Sequence, residues 1–321
     1  MAAAILALLL FTQSCAEAPF QESTGWIMGT LVSIRCSDAD AAHAALRAMR
    51  AMESEVNAFE SGVNAAGFFP AGEYIEPSMN AAQRVRELSG GAFNISVYDA
   101  MQAWGLVENE WQQTVDQKPD EKLLGQIAEA TARFAFTLED GIYTFSPEAK
   151  ITLGGVAKGA AGDVATGVLK SLGVESAIIS LGGNVVLVGK NAGRPWSVGI
   201  IDPVTREPAL KILAEDTTVT TAGAYERYVI IDGIQYGHII DPATAAPARN
   251  EILSATVICS DGAFADALAT AVFVMGEKDG LALIEGLPEA EAILMLSDHT
   301  VASSSGAPDI EVLSGDWRVI E

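Results

Sequence analysis

Apolar and polar positions along this chain follow two periods that replace one another several times. From Ala41 to Phe59 the apolar residues recur three or four apart, which predicts a helix with one face in the core. Residues 80–91 predict a second helix that ends at its Gly pair. Residues 105–127 are mostly polar, and we expect a surface loop there that leads into a helix.

Period-two and continuous apolar runs predict three hairpins. The stretches "RFAFTLEDGIYTFSP" and "ERYVIIDGIQYGHIIDP" contain the pairs Asp140-Gly141 and Asp232-Gly233, which are typical of type I′ turns. The stretch "AIISLGGNVVLVGK" has two apolar runs around a Gly pair. Hairpins that alternate with helices, without a regular βαβ rhythm, predict an α+β fold with largely antiparallel sheets.

Composition and charge narrow the class of protein. The chain has 321 residues, half of them hydrophobic, so it can bury a large core in one or two domains. Its net charge of −23 argues against nucleic acid and anionic membrane surfaces, because both need clustered Lys and Arg. Cys36 and Cys259 lack zinc-ligand spacing, and we expect two buried thiols in preference to a disulfide.

The first residues, "MAAAILALLLFTQSCAEAPF", resemble an export signal. The apolar run is too short for a membrane span but suits the h-region of a secretory signal. The Ser14-Cys15 junction resembles a lipoprotein box, in which the Cys is lipidated. We therefore expect residues 1–15 to be a signal, against the alternative of a frayed apolar terminus.

Two glycine-containing stretches could approach a ligand closely. Residues 151–173 predict a strand, a glycine turn and a helix that begins near Val156 and carries Lys158 in its first turn. Such a turn can bind phosphate through backbone N–H groups, but a tight structural connection fits the same residues equally well. The pair Gly182-Gly183 permits close approach of a flat group, and a plain hairpin turn is the alternative.

His238 and Asp241 lie at a strand end in "YGHIIDPATAAP". His238 is one of three histidines in the chain and is a candidate general base near neutral pH. A lone His is more often structural, so this assignment depends on the other motifs.

The stretch 260–276 predicts a helix that is apolar nearly all round and yet contains Asp266. Thr270 lies one turn after Asp266 on the same face. A buried carboxylate must be protonated, paired or bound to a cation, and carboxylate and hydroxyl oxygens together suit Mg²⁺. The alternative is an interaction of Asp266 with the helix dipole, with Asp261 as the cap.

Seven motifs in order resemble the FAD:protein FMN transferase family, the ApbE-type flavin transferases. They are "MGT", "FNISVYDAMQAWG", "LGGVAKG", "LGGN", "TTAGAYERY", "YGHIIDP" and "SATVICSDGAFADALATAVFVMG". The resemblance covers residues 25–321 and implies an ApbE-like (T-fold-like) α+β domain, built either as one unit or as two closely packed subdomains. It agrees with export as a lipoprotein, anchored through Cys15 on the periplasmic or outer face of a bacterial membrane.

The resemblance also implies site residues and ligands. FAD would be the substrate, with Mg²⁺ at its diphosphate held by Asp266, Thr270 and the backbone carbonyl of Gly155. Thr152 stands where many members have an Asp that touches FAD. The residues implied to border the cofactor are Met28, Phe59, Ala92, Phe93, Asn94, Thr152, Lys158, Gly182, Gly183 and Ile240.

The family reaction transfers FMN from FAD to a Thr or Ser hydroxyl of an acceptor protein and releases AMP. The acceptor implied by the resemblance is an exported, membrane-associated redox protein. We expect His238 to accept the hydroxyl proton, Asp241 to orient it, and Asp266 to complete the catalytic set. Two alternatives remain: an FAD pyrophosphatase that gives FMN and AMP, and a lipoprotein that binds FAD without turnover.

Overall fold

The computed structural model of the protein describes residues 20–107, 113–147 and 149–320. The export signal and Cys15 predicted above lie outside the described residues. The helices are α1 (Ala39–Ala66), α2 (Ile75–Leu88), α3 (Tyr98–Ala103), α4 (Glu121–Arg133), α5 (Ala157–Ser171), α6 (Gly262–Met275) and α7 (Glu277–Glu285), with a 3-10 turn at Ile95–Val97.

The strands form one large sheet and several small ones. They are β1 (Gln21–Ile27), β2 (Thr30–Cys36), β3 (Phe68–Pro70), β4 (Phe136–Glu139), β5 (Ile142–Phe145), β6 (Ala177–Leu181), β7 (Asn184–Val188), β8 (Trp196–Ile201), β9 (Pro208–Ala214), β10 (Thr218–Gly223), β11 (Tyr228–Ile231), β12 (Ile234–Gly237), β13 (Ile240–Asp241), β14 (Ala246–Pro247), β15 (Ile252–Cys259), β16 (Ala290–Leu296), β17 (Thr300–Ser303), β18 (Glu311–Val312) and β19 (Arg318–Val319).

The large sheet has nine strands in the order β1-β2-β6-β7-β10-β15-β16-β17-β19. Its neighbouring strands pair antiparallel, except for the parallel pair β17 and β19. The predicted α+β class with largely antiparallel sheets is therefore confirmed.

Two apolar layers cover this sheet. On one face, α1, α2, α5 and α6 pack together and onto the strands in the largest buried cluster. On the other face, the small sheet β18-β9-β8 contributes residues such as Trp196 and Leu210 to a second cluster. α6 lies against β10 and β15 near the middle of the sheet, so its buried face is fixed from two sides.

A third cluster holds the β11–β12 hairpin in place. Trp104 packs against Tyr236, with their ring centroids 5.0 Å apart, and donates from Nε1 to the carbonyl of Ala245 at 2.9 Å. This contact fixes the segment between β12 and β14, which contains His238.

The hairpins that the turn residues predict are confirmed. Asp140 and Gly141 connect β4 to β5, and Asp232 and Gly233 connect β11 to β12, all four with positive φ. The Gly pair likewise connects β6 to β7. Cys36 and Cys259 are free and buried. None of the helices described here has the length and apolar character of a membrane span.

Helix bounds differ from those that periodicity predicts. α1 begins after the Asp38 cap and continues to Ala66, where Gly67 ends it with a φ of 79°. α2 begins at Ile75, five residues before its predicted start. Residues 151–153 do not form the expected strand; Asn64 and Glu60 side chains on α1 bind the amides of Ile151 and Leu153. Side chains therefore satisfy the donors that a neighbouring strand would have bound.

Candidate functional site

α5 and α6 cross at a pair of glycines. A Cβ on Gly159 would lie 1.9 Å from the carbonyl oxygen of Gly262, and one on Gly262 would lie 2.6 Å from the carbonyl oxygen of Gly159. A side chain at either position would overlap the opposite backbone, so only glycine fits at this contact. The crossing brings the first turn of α5 against the first turns of α6.

Asp266 is buried at this crossing, with 5% of its surface exposed. Its Oδ2 accepts the amide N–H of Gly159 at 3.0 Å and lies 3.6 Å from the Nζ of Lys158. The lone carboxylate of the apolar helix is therefore partly neutralised by a cation from α5. The sequence predicted the need for a partner, and the structure supplies Lys158, which was expected only to face the cofactor.

Gly155 and Thr270 lie next to Asp266, and the Thr270 hydroxyl donates to the backbone carbonyl of Asp266 at 3.3 Å. A Cβ on Gly155 would lie 3.6 Å from Thr270 Oγ1 and 3.0 Å from the ring of Phe93. Gly155 precedes α5, and the amide of Gly159 lies in the first turn of the helix, where amides have no partner within the helix. That amide donates to Asp266, and no backbone amide among the described residues donates to the carbonyl of Gly155.

The three ligands expected for Mg²⁺ are therefore neighbours. They supply a carboxylate, a hydroxyl and a backbone carbonyl, the hard oxygen donors that Mg²⁺ prefers. Across the described parts of the chain, no group of three or more His, Cys, Asp or Glu side chains could hold a metal ion. A protein metal site here would have one carboxylate and would leave positions for water and substrate phosphate, as Mg²⁺ sites usually do.

His238 lies near the same residues, since the charge of Lys158 contributes to lowering its pKa. The region between Lys158, Asp266 and His238 is called the cleft below. Its Nδ1 lies 3.2 Å from the carbonyl oxygen of Arg227, and its backbone amide donates to the same oxygen. A carbonyl only accepts, so Nδ1 carries the proton of the neutral ring and Nε2 keeps a free lone pair. Enclosure of the ring, with Arg227 and Lys158 nearby, lowers the pKa of His238 from 6.5 to about 3.

Glu226 is a site residue that the sequence did not single out. A Cβ on Gly183 would lie 3.0 Å from its Oε1, so the carboxylate reaches the turn between β6 and β7. Burial raises the pKa of Glu226, and the nearby charges of Lys158 and Arg227 oppose that shift. Both Glu226 and Arg227 lie in "TTAGAYERY", a motif that carried the family resemblance without an assigned role.

The turn between β1 and β2 borders the cleft from the side. Met28 has a φ of 51°, unusual for a side-chain-bearing residue, and its amide donates to Glu53 Oε1 at 2.5 Å. A Cβ on Gly29 would lie 3.7 Å from a guanidinium nitrogen of Arg227. The turn is thus held beside the residues that enclose His238.

Two expected cofactor contacts have a structural role instead. Phe59 is fully buried and packs edge-on against Phe69, Tyr143 and Phe145, so in this structure it is a core residue with no surface exposed to a ligand. Phe59 lies on the buried face of α1, together with Val56 and Val63. Asn94 uses its Oδ1 to accept the amide of Ser96 and its Nδ2 to donate to the backbone carbonyl of Thr131.

Asp241 does not take the orienting position expected for it. Its carboxylate accepts the amide of Ala243 at 2.9 Å and the hydroxyl of Thr244 at 3.0 Å, which closes its own turn. The carbonyl of Arg227 orients the His238 ring instead. The Asp-Pro sequence reads as a turn signal, and in this structure the turn accounts for the polar contacts of Asp241.

The remaining expected contacts lie around the cleft or in its walls. Thr152 binds the amide of Gly154 through Oγ1 at 3.1 Å and lies beside the Glu60 carboxyl. Burial raises the pKa of Glu60. Ile240 is buried in the cluster around Trp104. Ala92 is half-buried, next to the Phe93 ring that packs on Gly155.

Comparison with known proteins identifies the family. The ApbE family model matches residues 28–294. This chain belongs to the ApbE family. The family resemblance drawn from the motifs is therefore confirmed.

Curated relatives include the FAD:protein FMN transferase of Treponema pallidum (strain Nichols), 33% identical over 70% of this chain and 66% of that protein. The FAD:protein FMN transferase of Rhodobacter capsulatus is 33% identical over 82% of this chain and 53% of that protein. This ApbE-family chain thus spans between about half and two thirds of the length of these two relatives.

Solved ApbE structures share the fold. The flavin transferase ApbE from Vibrio cholerae superposes with a TM-score of 0.78 at 26% identity, over 90% of this chain and 98% of that one. The ApbE protein from Thermotoga maritima gives a TM-score of 0.78 at 28% identity, over 91% and 96% of the two chains.

Proposed function

We propose that this protein is a Mg²⁺-dependent flavin transferase. It would move FMN from FAD to a Thr or Ser hydroxyl of an acceptor protein and release AMP. The observation that carries the proposal is the meeting of Asp266, Thr270 and Gly155 beside Lys158 at the α5–α6 crossing. The curated relatives bear the name of the same activity.

The residues at the crossing fit a magnesium ion. Asp266, Thr270 and the carbonyl of Gly155 would hold it, since the Gly159 amide does not occupy that carbonyl. When bound, Mg²⁺ supplies Lewis-acid stabilisation of charge on a diphosphate and its leaving group.

Cationic side chains of the chain would bind the diphosphate of FAD. Lys158 extends from the first turn of α5, where the helix dipole also favours an anion. Arg227 lies across the cleft, close enough to affect the pKa of His238. These groups orient the substrate, and orientation contributes much of the rate in phosphoryl transfer.

His238 is the proposed proton acceptor for the attacking hydroxyl. Its neutral ring presents Nε2 as a lone pair, because Nδ1 is directed to the Arg227 carbonyl. Lys158 and Arg227 disfavour the protonated ring in the free protein. An anionic diphosphate would offset their charge, so substrate binding would make His238 a stronger base.

The reaction balances without an oxidant or reductant. The acceptor oxygen forms a bond to the phosphorus of the FMN half, and the bond from that phosphorus to the bridging oxygen breaks. AMP leaves with the bridging oxygen, and the hydroxyl proton passes to His238. If water attacks in place of the acceptor, the products are FMN and AMP.

The decisive experiment incubates the purified protein with FAD, Mg²⁺ and an acceptor domain. Covalent flavin fluorescence on the denatured acceptor supports transfer, whereas free FMN plus AMP supports hydrolysis. FAD that remains intact would refute both enzyme reactions and favour a flavin-binding protein.

The matched variant is Asp266→Ala. We expect it to lower turnover by at least about 100-fold, because the site loses its only carboxylate metal ligand. The exposed Asp261→Ala change in the same helix is the control and should retain most activity. Full turnover of Asp266→Ala would refute the metal site.

We also infer that the protein is exported and lipid-anchored through Cys15, and that its acceptor is an exported, membrane-associated redox protein. The apolar run before Cys15 and the small-residue junction support this inference. Lipid labelling that is lost in Cys15→Ser would test the anchor, and labelling that persists would contradict it.

A further inference from the structure

We propose that Asp163 is a positioning residue that clamps the start of α6 onto α5 and thereby sets the geometry of the metal site. The inference rests on the proposed function, because the residues it positions are the proposed ligands Asp266, Thr270 and Gly155. Asp163 itself touches none of them through a hydrogen bond in the described structure.

Asp163 joins the two helices through both carboxylate oxygens. Oδ1 accepts the amide of Gly262 and Oδ2 accepts the amide of Ala263, each at 2.9 Å. The next amide, that of Phe264, is bound by the cap residue Asp261 at 2.9 Å. Two carboxylates thus share the free donors of the first turn, and of these two only Asp163 comes from α5.

This arrangement fixes both the position and the rotation of α6. Two parallel charge-assisted bonds restrain orientation more strongly than one, as in bidentate carboxylate pairs. The contact lies beside the glycine crossing, where the Cβ of a residue at 262 would meet Asp163 Oδ1 at 2.8 Å. At this contact α6 therefore packs on α5 through its backbone and the Asp163 carboxylate.

The ligands lie within about two turns of this clamp along each helix. Asp266 follows Ala263 by one turn, and Thr270 follows by two, or about 10 Å of helix. Gly155 lies eight residues before Asp163, in the segment that leads into α5. A small rotation of α6 at the clamp would therefore change the separation of all three oxygens.

Asp163 is not required as a wall of the cleft. It faces a separate cavity of about 720 Å³, which is also lined by Asp261, Arg84 and Phe264. Burial raises the pKa of Asp163 to about 6, and the carboxylates of Asp261 and Asp266 add to the shift. Measurements at pH 8 therefore test the ionised clamp.

The experiment compares Asp163→Asn with the control Asp261→Asn. An Asn at 163 can accept one of the two amides, but its NH₂ group cannot accept the other. We expect Asp163→Asn to weaken Mn²⁺ or Mg²⁺ binding to the FAD-loaded protein by about tenfold or more, because a shift of α6 would separate the proposed ligands, and residues that hold ligands in place have effects of that size. Asp261→Asn removes the charge of the helix cap but keeps an oxygen that can accept the Phe264 amide, so it should change metal affinity by less than about threefold.

Equal effects of the two variants on metal affinity would overturn the inference, because the loss of a negative charge at the start of α6 would then explain both changes. If Asp163→Asn does not fold, Asp163→Glu replaces it, since its longer side chain keeps the charge but shifts the helices. Wild-type metal affinity in Asp163→Glu would also overturn the inference.

A metal-free readout separates this inference from the proposed function. The amide of Gly159 donates to Asp266 only while the helices keep their relative position. Its hydrogen exchange should accelerate by about tenfold in Asp163→Asn and remain near the wild-type rate in Asp261→Asn. That result in a protein that binds no metal would contradict the proposed function and support the clamp. Equal exchange in both variants would refute the clamp.

Discussion

The surroundings of His238 lower its pKa far below the ordinary value of a histidine. Enclosure and the charges of Arg227 and Lys158 lower its pKa to about 3, although the ring keeps a lone pair directed away from the Arg227 carbonyl. Because the ring stays neutral at every working pH, its lone pair is available to accept the proton of the attacking hydroxyl in the proposed reaction. The ring becomes a strong base only when an anion compensates the two cations.

We predict that NMR of the ring will show neutral His238 down to about pH 4 in the free protein. Saturating FAD without metal should raise its pKa by at least about one unit, because the diphosphate screens both cations. His238→Asn assigns the signal among the histidines. A midpoint near 6.5 in the free protein would contradict the assignment of the ring environment.

The lowered pKa of His238 also makes the unfolding free energy depend on pH. The unfolded chain binds the proton near pH 6.5 and the folded chain only near 3, so the contribution of His238 is full above pH 6.5. It is lost as the pH falls through this window. His238→Asn should therefore flatten the acid limb of unfolding free energy against pH.

Residue types indicated which side chains to examine but not the contacts that they make. Asp266 and Thr270 were singled out because a carboxylate in an apolar helix needs a partner, and Lys158 because it follows a glycine turn at the start of a helix. Phe59 could not be placed, because an aromatic in a helical stripe looks the same whether it faces a ligand or a core. The orienting carbonyl of Arg227 was invisible, since backbone groups have no sequence signature.

At the scale of elements, the α5–α6 crossing is the feature that makes the site. A side chain at Gly159 or Gly262 would overlap the backbone of the opposite helix. Substitutions on the face of α5 that contacts α6 should therefore destabilise the protein, whereas substitutions on its exposed face should not.

We predict that Gly159→Ala lowers the unfolding free energy by about 3 kcal/mol, because its methyl group would overlap the Gly262 carbonyl. The control is Gly167→Ala, in the same helix but exposed with nothing within 4 Å, which should raise stability by roughly 0.5–1 kcal/mol. Urea unfolding measures both. Similar changes in the two variants would show that the crossing is looser than described.

Local signals predicted the elements that depend on neighbouring residues. The type I′ turns at Asp140 and Asp232 and the Asp261 cap of α6 follow from residues adjacent in sequence. The end of α1 was misplaced because its last turns, 60–66, are mixed in polarity and depend on side chains that reach residues 151–153. Contacts over that distance have no local pattern.

At the scale of the whole molecule, the order of the nine strands follows from no local pattern. β2 pairs with β6, so Val32 lies opposite Leu181, far along the chain. Both strands are apolar on the helical face, and their composition would have allowed other partners. The class of fold was predictable, but this order was not.

We predict that FAD and Mg²⁺ together raise the unfolding midpoint of the whole protein, because the proposed site exists only in the folded state. At 100 times the dissociation constant, the gain is about 2.7 kcal/mol. Thermal scans with each ligand alone give the baseline. In Asp266→Ala the Mg²⁺-dependent part should vanish, and a gain that persists would place the metal elsewhere.

The clamp between α5 and α6 also sets when the site can form during folding. The bond from Asp163 to Gly262 joins residues 99 positions apart. Strands β6 to β15, including four central strands of the large sheet, lie between them in the chain. Closing a loop of that length is slow relative to forming local hairpins. Native flavin affinity should therefore be among the last properties to emerge on refolding, and its appearance would report that the sheet is complete.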